Sequence, residues 1–178
     1  MSEAVLEFPS MKHKDMIKAY QEETFAAGEF YINGDGGCHQ NEDYQDWLEK
    51  AKNYHLGVQL PDGYVPATTY FLVGENKILG TINIRHRLNE GLLKSGGHIG
   101  YSVAPSERKK GYATTMLKMG LMICHDLGID RVLVTCNKEN TASRKTIEKC
   151  GGQLENEYYD EDELQTYLRF WIGEDKND

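Results

Sequence analysis

Residues 98 to 136 constrain the fold of this chain more than any other segment. Two short stretches, HIGYSV at 98–103 and RVLVTC at 131–136, predict β-strands, and the second is nearly continuous in apolar residues, as in a parallel sheet. Between them, apolar residues recur at helical spacing, and Gly128 suits the left-handed backbone that often ends a helix. A strand, a helix and a second strand in this order predict a βαβ unit with a right-handed crossover.

The flanking segments predict antiparallel strands and further helices. Apolar spacing predicts one helix near the N-terminus and a second helix capped by Asn41. Residues 67–86 predict two strands joined by a turn at 74–76. After the βαβ unit, Asn140 is expected to cap a short helix, and two more strands follow. These elements predict an α/β protein, more closely an α+β arrangement with a mixed sheet.

Charge composition narrows the classes of partner. The 178-residue chain has 20 Lys and Arg against 28 Asp and Glu, which gives a net charge of −8. Such a surface repels phosphate backbones, so nucleic-acid binding is not expected. The N-terminus lacks the basic and apolar regions of a signal peptide, and nowhere do about 18 apolar residues run consecutively. We therefore expect a cytoplasmic protein that has no membrane partner.

The cysteines do not form a metal-binding pattern. Cys38, Cys124, Cys136 and Cys150 lie far apart and include no CxxC pair. Cys38 and His39 are the only adjacent soft ligands, and we interpret them as neighbours in a loop that binds no metal. No metal cofactor is expected.

A concentration of positive charge precedes the helix of the βαβ unit. Arg108, Lys109 and Lys110 run into Gly111, where the apolar helical stretch begins. Cations oppose the partial positive charge of a helix N-terminus, by roughly 0.3–1 kcal/mol each at exposed positions. A bound phosphate would reverse that effect, because it accepts hydrogen bonds from the free N–H groups there. The turn is neither a Walker loop nor a GxGxxG fingerprint, and on its own it also fits a solvated loop.

The order of elements around this turn resembles a known family. R-K-K-G-Y-A at 108–113, between a strand and a helix, matches the R/Q-x-x-G-x-G/A signature of the GNAT superfamily of N-acetyltransferases. The resemblance extends from Thr68 to Gly152 and includes NKENTAS at 137–143. Within the superfamily, the chain is similar to an uncharacterised bacterial branch of predicted acetyltransferases. The resemblance implies the GNAT acyl-CoA N-acyltransferase fold, in which helices flank a central mixed sheet with two splayed parallel strands.

The resemblance also implies how acetyl-CoA is held as co-substrate. It implies a single domain over 1–178, with a helical part at 1–60 and an acetyl-CoA-binding core at 66–172. Pantetheine would pair with the strand edge that the splay exposes, and the N–H near Val103 would stabilise the oxyanion. The residues expected to bind the cofactor are Tyr101, Ser102, Val103, Arg108, Lys109, Lys110, Gly111, Tyr112, Ala113, Thr114, Asn140 and Ser143.

The reaction needs a proton acceptor and a proton donor. A free alkylamine has a pKa of about 10, so a base must take its proton before or during attack on the thioester. His98 is the candidate base, with Glu107 and a water chain as alternatives. Many relatives protonate the leaving thiolate with a Tyr at the position of Ile147, so that donor is absent here. Ser143, one turn earlier, is the candidate acid.

The acceptor is expected to be a primary amine of a small molecule or a peptide. Arg85 and Arg87 share one face of a strand and suit an acceptor that bears a carboxylate, but they also fit edge charges that prevent aggregation. The acidic run YYDEDE at 158–163 instead favours a cationic acceptor. The missing Tyr at 147 supports an alternative, a catalytically degenerate acyl-CoA-binding sensor or partner module. Members of this fold often dimerise, so a homodimer is possible.

Overall fold

The computed structural model describes residues 3–174 and confirms the predicted order of strands and helices. The helices are α1 (Lys14–Ala26), α2 (Tyr44–Leu56), α3 (Tyr112–Asp126) and α4 (Thr141–Lys149). The strands are β1 (Val5–Glu7), β2 (Ala67–Gly74), β3 (Lys77–Arg85), β4 (Ile99–Val103), β5 (Val132–Asn137), β6 (Gln153–Asp160) and β7 (Gln165–Ile172).

The strands form two antiparallel sheets that meet at one short contact. The first sheet has the order β1-β2-β3-β4 and the second has the order β5-β7-β6. At the junction the His98 N–H donates to the Leu133 carbonyl over 2.8 Å, and both β4 and β5 begin there. Beyond this point no ladder joins the two strands. The predicted splay is therefore confirmed, and the parallel relation is confined to the junction because the strands diverge immediately after it.

The main core fills the space between α3 and the sheets. Met116, Leu117 and Cys124 on one face of α3 are fully buried. Gly120 lies in the middle of this face, and a Cβ there would stand 2.7 Å from Cδ1 of Ile82 on β3. The helix therefore packs directly on the first sheet, which places its N-terminus beside the end of β4.

A second core cluster lies between the same sheet and helices α1 and α2. Phe71 and Leu72 are neighbours on β2, so their side chains point to opposite faces. Leu72 belongs to the core beneath α3, whereas Phe71 packs with Ile17 and Trp47 on the other face. The Phe71 and Trp47 rings stack with centroids 6.0 Å apart. Both faces of the sheet are thus covered, and its β4 edge is left for the site.

Local features depart from the sequence prediction. Helix α2 begins at Tyr44, because the cap is Asp43, whose side chain accepts the Asp46 N–H at 2.8 Å, and not Asn41. Strand β1 was not predicted, since three residues are too few to show a period. The polar loop before β4 contains a π-helical turn at Leu92–Gly96. Within residues 3–174, no helix has the length and apolar character needed to cross a bilayer. The single domain over 1–178 stays a prediction.

Candidate active site

A cavity of about 440 Å³ opens where the two sheets diverge. Its walls come from α1, the segment 29–33, β4, the turn 107–114 and the start of α4. All the residues predicted to bind the cofactor line this cavity except Lys110: Tyr101, Ser102, Val103, Arg108, Lys109, Gly111, Tyr112, Ala113, Thr114, Asn140 and Ser143. Residues from three separate parts of the sequence therefore meet around one opening.

One wall of the cavity is the free edge of β4. Ala104 donates its N–H to the Leu79 carbonyl of β3 over 2.8 Å. Backbone groups along a strand alternate between its two edges, so the N–H and C=O groups of Tyr101 and Val103 point away from β3 and toward the cavity. The backbone of Ser102 points toward β3 instead. The register therefore offers Tyr101 and Val103, but not Ser102, for backbone contacts at the free edge.

The turn before α3 leaves the start of that helix open. Gly111 directly precedes the helix with φ at 86°, and Lys109 also has a left-handed φ of 64°. Asp43 caps α2 and Asn140 caps α4, but no side chain caps α3. A Cβ at Gly111 would meet no atom within 4 Å. The first N–H groups of α3 therefore have no capping side chain, and the space beside Gly111 is open, which is the geometry that suits an anion.

The cations of the turn have different environments. Arg108 donates from its two terminal nitrogens to the Glu29 carboxylate at 3.1 and 2.7 Å, and from Nε to the Val103 carbonyl at 3.1 Å. Lys110, outside the cavity lining, pairs with Glu107 at 2.9 Å. Lys109 lines the cavity, and among residues 3–174 it has no carboxylate at ion-pair distance. Lys109 is therefore the cation of this turn that is available to a ligand.

Ser143 lies on the α4 side of the cavity and faces a phenol. Its hydroxyl is 2.9 Å from the Tyr101 hydroxyl, and its N–H is capped by the Asn140 side chain at 3.1 Å. Burial raises the pKa of Tyr101 to about 12, although the hydrogen bond with Ser143 acts in the opposite direction. Ile147 is fully buried in the core. Sequence reasoning gave Tyr101 only a backbone role and missed this contact, which joins residues 42 positions apart.

His98, the candidate base, is not among the residues that line the cavity. It is 6% exposed, and its Nδ1 accepts the Leu133 N–H at 2.9 Å. Burial and, second, the charge of Arg85 lower the pKa of His98 to about 4. The structure therefore gives His98 a structural position, as the link between the sheets. Glu107, the alternative, does line the cavity, but its carboxylate is held by two lysines.

Comparison with known proteins places this geometry in a family. A model described as the acetyltransferase (GNAT) domain matches residues 6–153. The chain belongs to the GNAT acetyltransferase family. Its co-substrate is therefore acetyl-CoA, as the sequence signature implied. A search of curated proteins finds no match.

Solved structures similar to this GNAT acetyltransferase span nearly its whole length. The microcin C7 self-immunity acetyltransferase MccE, in complex with acetyl-CoA and AMP, is 17% identical with a TM-score of 0.73 over 97% of this chain and 93% of that one. RimJ of Mycobacterium smegmatis, with a CoA-disulfide, is 20% identical with a TM-score of 0.72 over 94% and 80%. A Salmonella typhimurium enzyme that modifies the N-terminal serine of ribosomal protein L7/L12 is 17% identical with a TM-score of 0.68 over 96% and 94%. At these identities the likeness establishes the fold.

The cavity of this GNAT acetyltransferase fits acetyl-CoA on its own geometry. The free edge at Tyr101 and Val103 has the N–H and C=O groups that pantetheine amides require. The open helix start and Lys109 suit the pyrophosphate. Within residues 3–174, no group of three or more His, Cys, Asp or Glu side chains is placed to hold a metal ion.

A chain of hydroxyl groups lies on the other face of β4. The Thr81 hydroxyl donates to the Asn33 carbonyl at 2.9 Å, so it accepts from the Ser102 hydroxyl, also at 2.9 Å. Since each hydroxyl has one proton, Ser102 in turn accepts from the Tyr20 hydroxyl at 2.7 Å. Burial raises the pKa of Tyr20 to about 12. This chain ties α1 and the segment 29–33 to β4 and so shapes the rim of the cavity.

An Asp–His pair lies behind the same rim. Asp35 is 1% exposed, and its Oδ2 accepts from Nδ1 of His39 at 2.8 Å. That bond leaves Nε2 as the unprotonated nitrogen of the neutral ring. The Ile32 N–H donates to Nε2 over 3.5 Å, so both ring nitrogens are engaged, and the ring packs edge-on against Tyr31 at 5.0 Å between centroids. Tyr31 and Ile32 line the cavity. The sequence interpretation of His39 as an incidental loop residue missed this arrangement.

Proposed function

We propose that this chain transfers the acetyl group of acetyl-CoA to a primary amine of a small molecule or a peptide, by direct attack in a ternary complex. The observation that carries the proposal is that the free strand edge at Tyr101 and Val103 and the uncapped helix start at Gly111 meet in one cavity. An amine acceptor is also supported by the Salmonella relative, which modifies an N-terminal serine.

Residues of β4 and of the turn before α3 hold the donor. Tyr101 and Val103 present the N–H and C=O groups that pair with pantetheine in the manner of an added strand. Lys109 and the first N–H groups of α3 bind the pyrophosphate. Asn140 and Ser143 contact the donor from the opposite wall. When bound, acetyl-CoA supplies the activated acyl group.

Val103 stabilises the charge that develops on the thioester oxygen. Its N–H points to the free edge of β4, and its carbonyl is fixed by Nε of Arg108 at 3.1 Å. A preorganised N–H of this kind needs no rearrangement during the reaction, and removing one such donor typically costs about 3 kcal/mol of barrier. Arg108 is therefore a positioning residue for the strand end as well as part of the cavity wall.

The amine proton passes to solvent in the cavity. His98 does not line the cavity, and both ring nitrogens of His39 are engaged, by Asp35 and by the Ile32 N–H. The Glu107 carboxylate is held by two lysines. A water chain is therefore the proton acceptor that we assign.

Ser143 and Tyr101 form the candidate acid. Their hydroxyls are 2.9 Å apart on the donor side of the cavity. Ser143 donates a proton to the leaving thiolate and regains one from solvent in the cavity. The Tyr101 hydroxyl orients Ser143 through their hydrogen bond and keeps its own proton, because burial raises its pKa. In this arrangement a phenol from β4 serves the α4 face, where the family tyrosine is replaced by Ile147.

The second candidate is an acyl-CoA-binding sensor that has lost catalysis. Two observations favour it. Ile147 stands where many family members carry the proton donor, and the carboxylates that line the cavity, Glu29 and Glu107, are both engaged in ion pairs. The sensor binds acetyl-CoA at the same site but does not transfer the acetyl group to an amine.

Two measurements separate these candidates. Thermal unfolding with acetyl-CoA at a hundredfold excess over its dissociation constant should show about 2.7 kcal/mol of added stability. Absence of a shift at millimolar acetyl-CoA contradicts both candidates. Thiol release is then measured against a panel of primary amines. Turnover above the rate of acetyl-CoA hydrolysis supports the enzyme, whereas hydrolysis alone with every amine supports the sensor. The cytoplasmic location and the homodimer stay predictions.

A further inference from the structure

Arg85 is a cation at the end of β3. Its Nη1 donates to the Gly96 and Gly97 carbonyls at 3.1 and 3.5 Å. No carboxylate within residues 3–174 lies at ion-pair distance from its guanidinium. No buried side-chain nitrogen in that range lacks a hydrogen-bond partner, so the guanidinium nitrogens that have no protein acceptor reach accessible space. Arg85 thus offers unused donors to a ligand.

Other enclosed or site-lining arginines are paired. Arg169 is 8% exposed, and its Nη1 lies 2.6 Å from Oε2 of Glu155. Arg108 is paired with Glu29. Burial lowers the pKa of Arg85, yet an arginine keeps its charge in a protein. Taking an unpaired charge out of water costs several kcal/mol. In a chain with a net charge of −8, the lack of an acidic partner for Arg85 favours an external anion.

Arg85 lies over β4 at Gly100, three residues before Val103. A Cβ on Gly100 would stand 3.0 Å from Nη2 of Arg85, so the guanidinium lies over β4 at the residue before Tyr101. Arg85 and Thr81 are four residues apart on β3 and share a face, and that face carries Ser102, the partner of Thr81 in the ladder. This is the side of β4 opposite the Tyr101–Ser143 contact.

Tyr31 connects the two regions. It lines the donor cavity, and, against the larger lowering by burial, it is near enough to Arg85 to raise the pKa of the guanidinium. It is also 63% exposed, so a molecule entering from solvent beside Tyr31 can contact both the cavity and the guanidinium. A ligand with an amine at one end and an anion at the other matches this layout.

We propose that Arg85 is the anion-binding subsite of the acceptor, and that the acceptor is an amine that also carries a carboxylate. This inference rests on the proposed acetyl transfer. The planar guanidinium matches the two oxygens of a carboxylate, so it holds the acceptor in one orientation while the amine faces the thioester. Arg87 lies beyond the end of β3 and is exposed, so the earlier two-arginine hypothesis narrows to Arg85.

The acidic turn between β6 and β7 was the sequence feature that favoured a cationic acceptor. The Asp160 carboxylate accepts the N–H groups of Asp162 and Glu163 at 2.9 and 3.0 Å. The Glu163 carboxylate accepts the Tyr167 hydroxyl. These carboxylates therefore have a local structural role, which weakens the expectation of a cationic acceptor.

Matched substrates test the proposal. Proteinogenic L-amino acids are compared with their α-carboxamides, which lack only the carboxylate, by thiol release from acetyl-CoA. We expect wild type to prefer at least one acid over its amide. Arg85→Gln should lower that preference about tenfold to hundredfold, because hydrogen bonds to charged groups contribute roughly 1.5–3 kcal/mol, and the loss should appear in KM. The ratio of kcat/KM for an acid to that for its amide is compared between wild type and variant on the same two substrates, so differences in amine basicity cancel.

Controls separate recognition from folding. Arg87→Gln removes an exposed neighbouring charge and should leave the preference unchanged. Arg85→Lys keeps the positive charge but lacks the planar guanidinium that can hold both carboxylate oxygens, so it should give an intermediate preference for acids over amides. The proposal is overturned if Arg85→Gln loses activity equally toward acids and amides, or if wild type shows no preference for any acid over its amide.

A binding measurement covers the case in which turnover is not seen. The same amino acids and amides are titrated into wild type saturated with CoA, and stabilisation is read by thermal unfolding. Stabilisation by an acid but not by its amide, lost in Arg85→Gln, supports the subsite even if acetyl transfer fails. If no acid stabilises the protein more than its amide does, the subsite is overturned. Acetyl-CoA binding by wild type is measured separately, and it tests the proposed function independently of Arg85.

Discussion

Replacing Gly111 with alanine tests the donor site at its most constrained point. The φ of 86° disfavours any residue with a Cβ, and the left-handed region costs an ordinary residue about 1–2 kcal/mol. The added methyl meets no protein atom within 4 Å, so we expect no further cost to the unliganded protein. Each kcal/mol corresponds to about 2–4 °C of melting temperature in a chain of this size. Gly111→Ala should therefore fold and melt a few degrees lower.

The effect on ligand binding should be larger than the effect on stability. The open space above Gly111 is where the pyrophosphate must approach the helix start, so the methyl group occupies part of the ligand's position. At acetyl-CoA a hundredfold above the wild-type dissociation constant, wild type gains about 2.7 kcal/mol. A variant that binds a hundredfold more weakly gains about 0.4 kcal/mol at the same concentration. Differential scanning fluorimetry with and without acetyl-CoA resolves this difference.

Gly128→Ala is the matched control, because Gly128 lies just beyond the other end of α3. Its φ is 82°, and a Cβ there also meets no atom within 4 Å. It does not line the cavity. We expect the same loss of stability in the unliganded protein and a full acetyl-CoA shift. A full shift in Gly111→Ala would refute the placement of the pyrophosphate, and an equal loss in Gly128→Ala would attribute the effect to the helix as a whole.

Two further predictions concern protonation. Burial lowers the pKa of His98 from 6.5 to about 4, so between these values the unfolded state binds a proton that the folded state does not. The free energy of unfolding should fall by up to about 3 kcal/mol as pH drops through this window. His98→Asn should flatten that part of the profile of melting temperature against pH. An unchanged slope of that profile in the variant contradicts the burial argument. Ser143→Ala and Tyr101→Phe should each lower kcat while keeping the acetyl-CoA shift. The double variant should be no slower than either single variant, because the two hydroxyls act as a pair. Additive losses in the rate of thiol release would show that the hydroxyls act independently.

Local patterns account for most of what could be predicted from the sequence. Helix α4 follows from Asn140, whose side chain caps a N–H only three residues away. Helix α3 follows from a continuous apolar face that a periodicity count detects. The turn at 108–113 was predictable because its cations, its glycine and the helix that follows are adjacent in the chain. Each of these features depends on contacts within a few residues.

Features that depend on distant contacts were not predictable in the same way. His98 looked like a base because it begins a strand, but its ring bonds to Leu133, 35 residues away. No pattern in a single sequence encodes whether a histidine faces a cavity or is buried away from it.

The sequence alone identified the donor. Cations, a glycine and a helix start in immediate succession at 108–113 suit a polyanion. The neighbouring stretches HIGYSV and NKENTAS add the family resemblance that implies acetyl-CoA. Only the tertiary structure decided the chemistry around it. Packing turns Tyr101 toward Ser143, buries Ile147, and leaves Arg85 over Gly100 without a carboxylate. These relations join residues far apart in sequence, and they exist only because α3 and the diverging sheets bring their segments together.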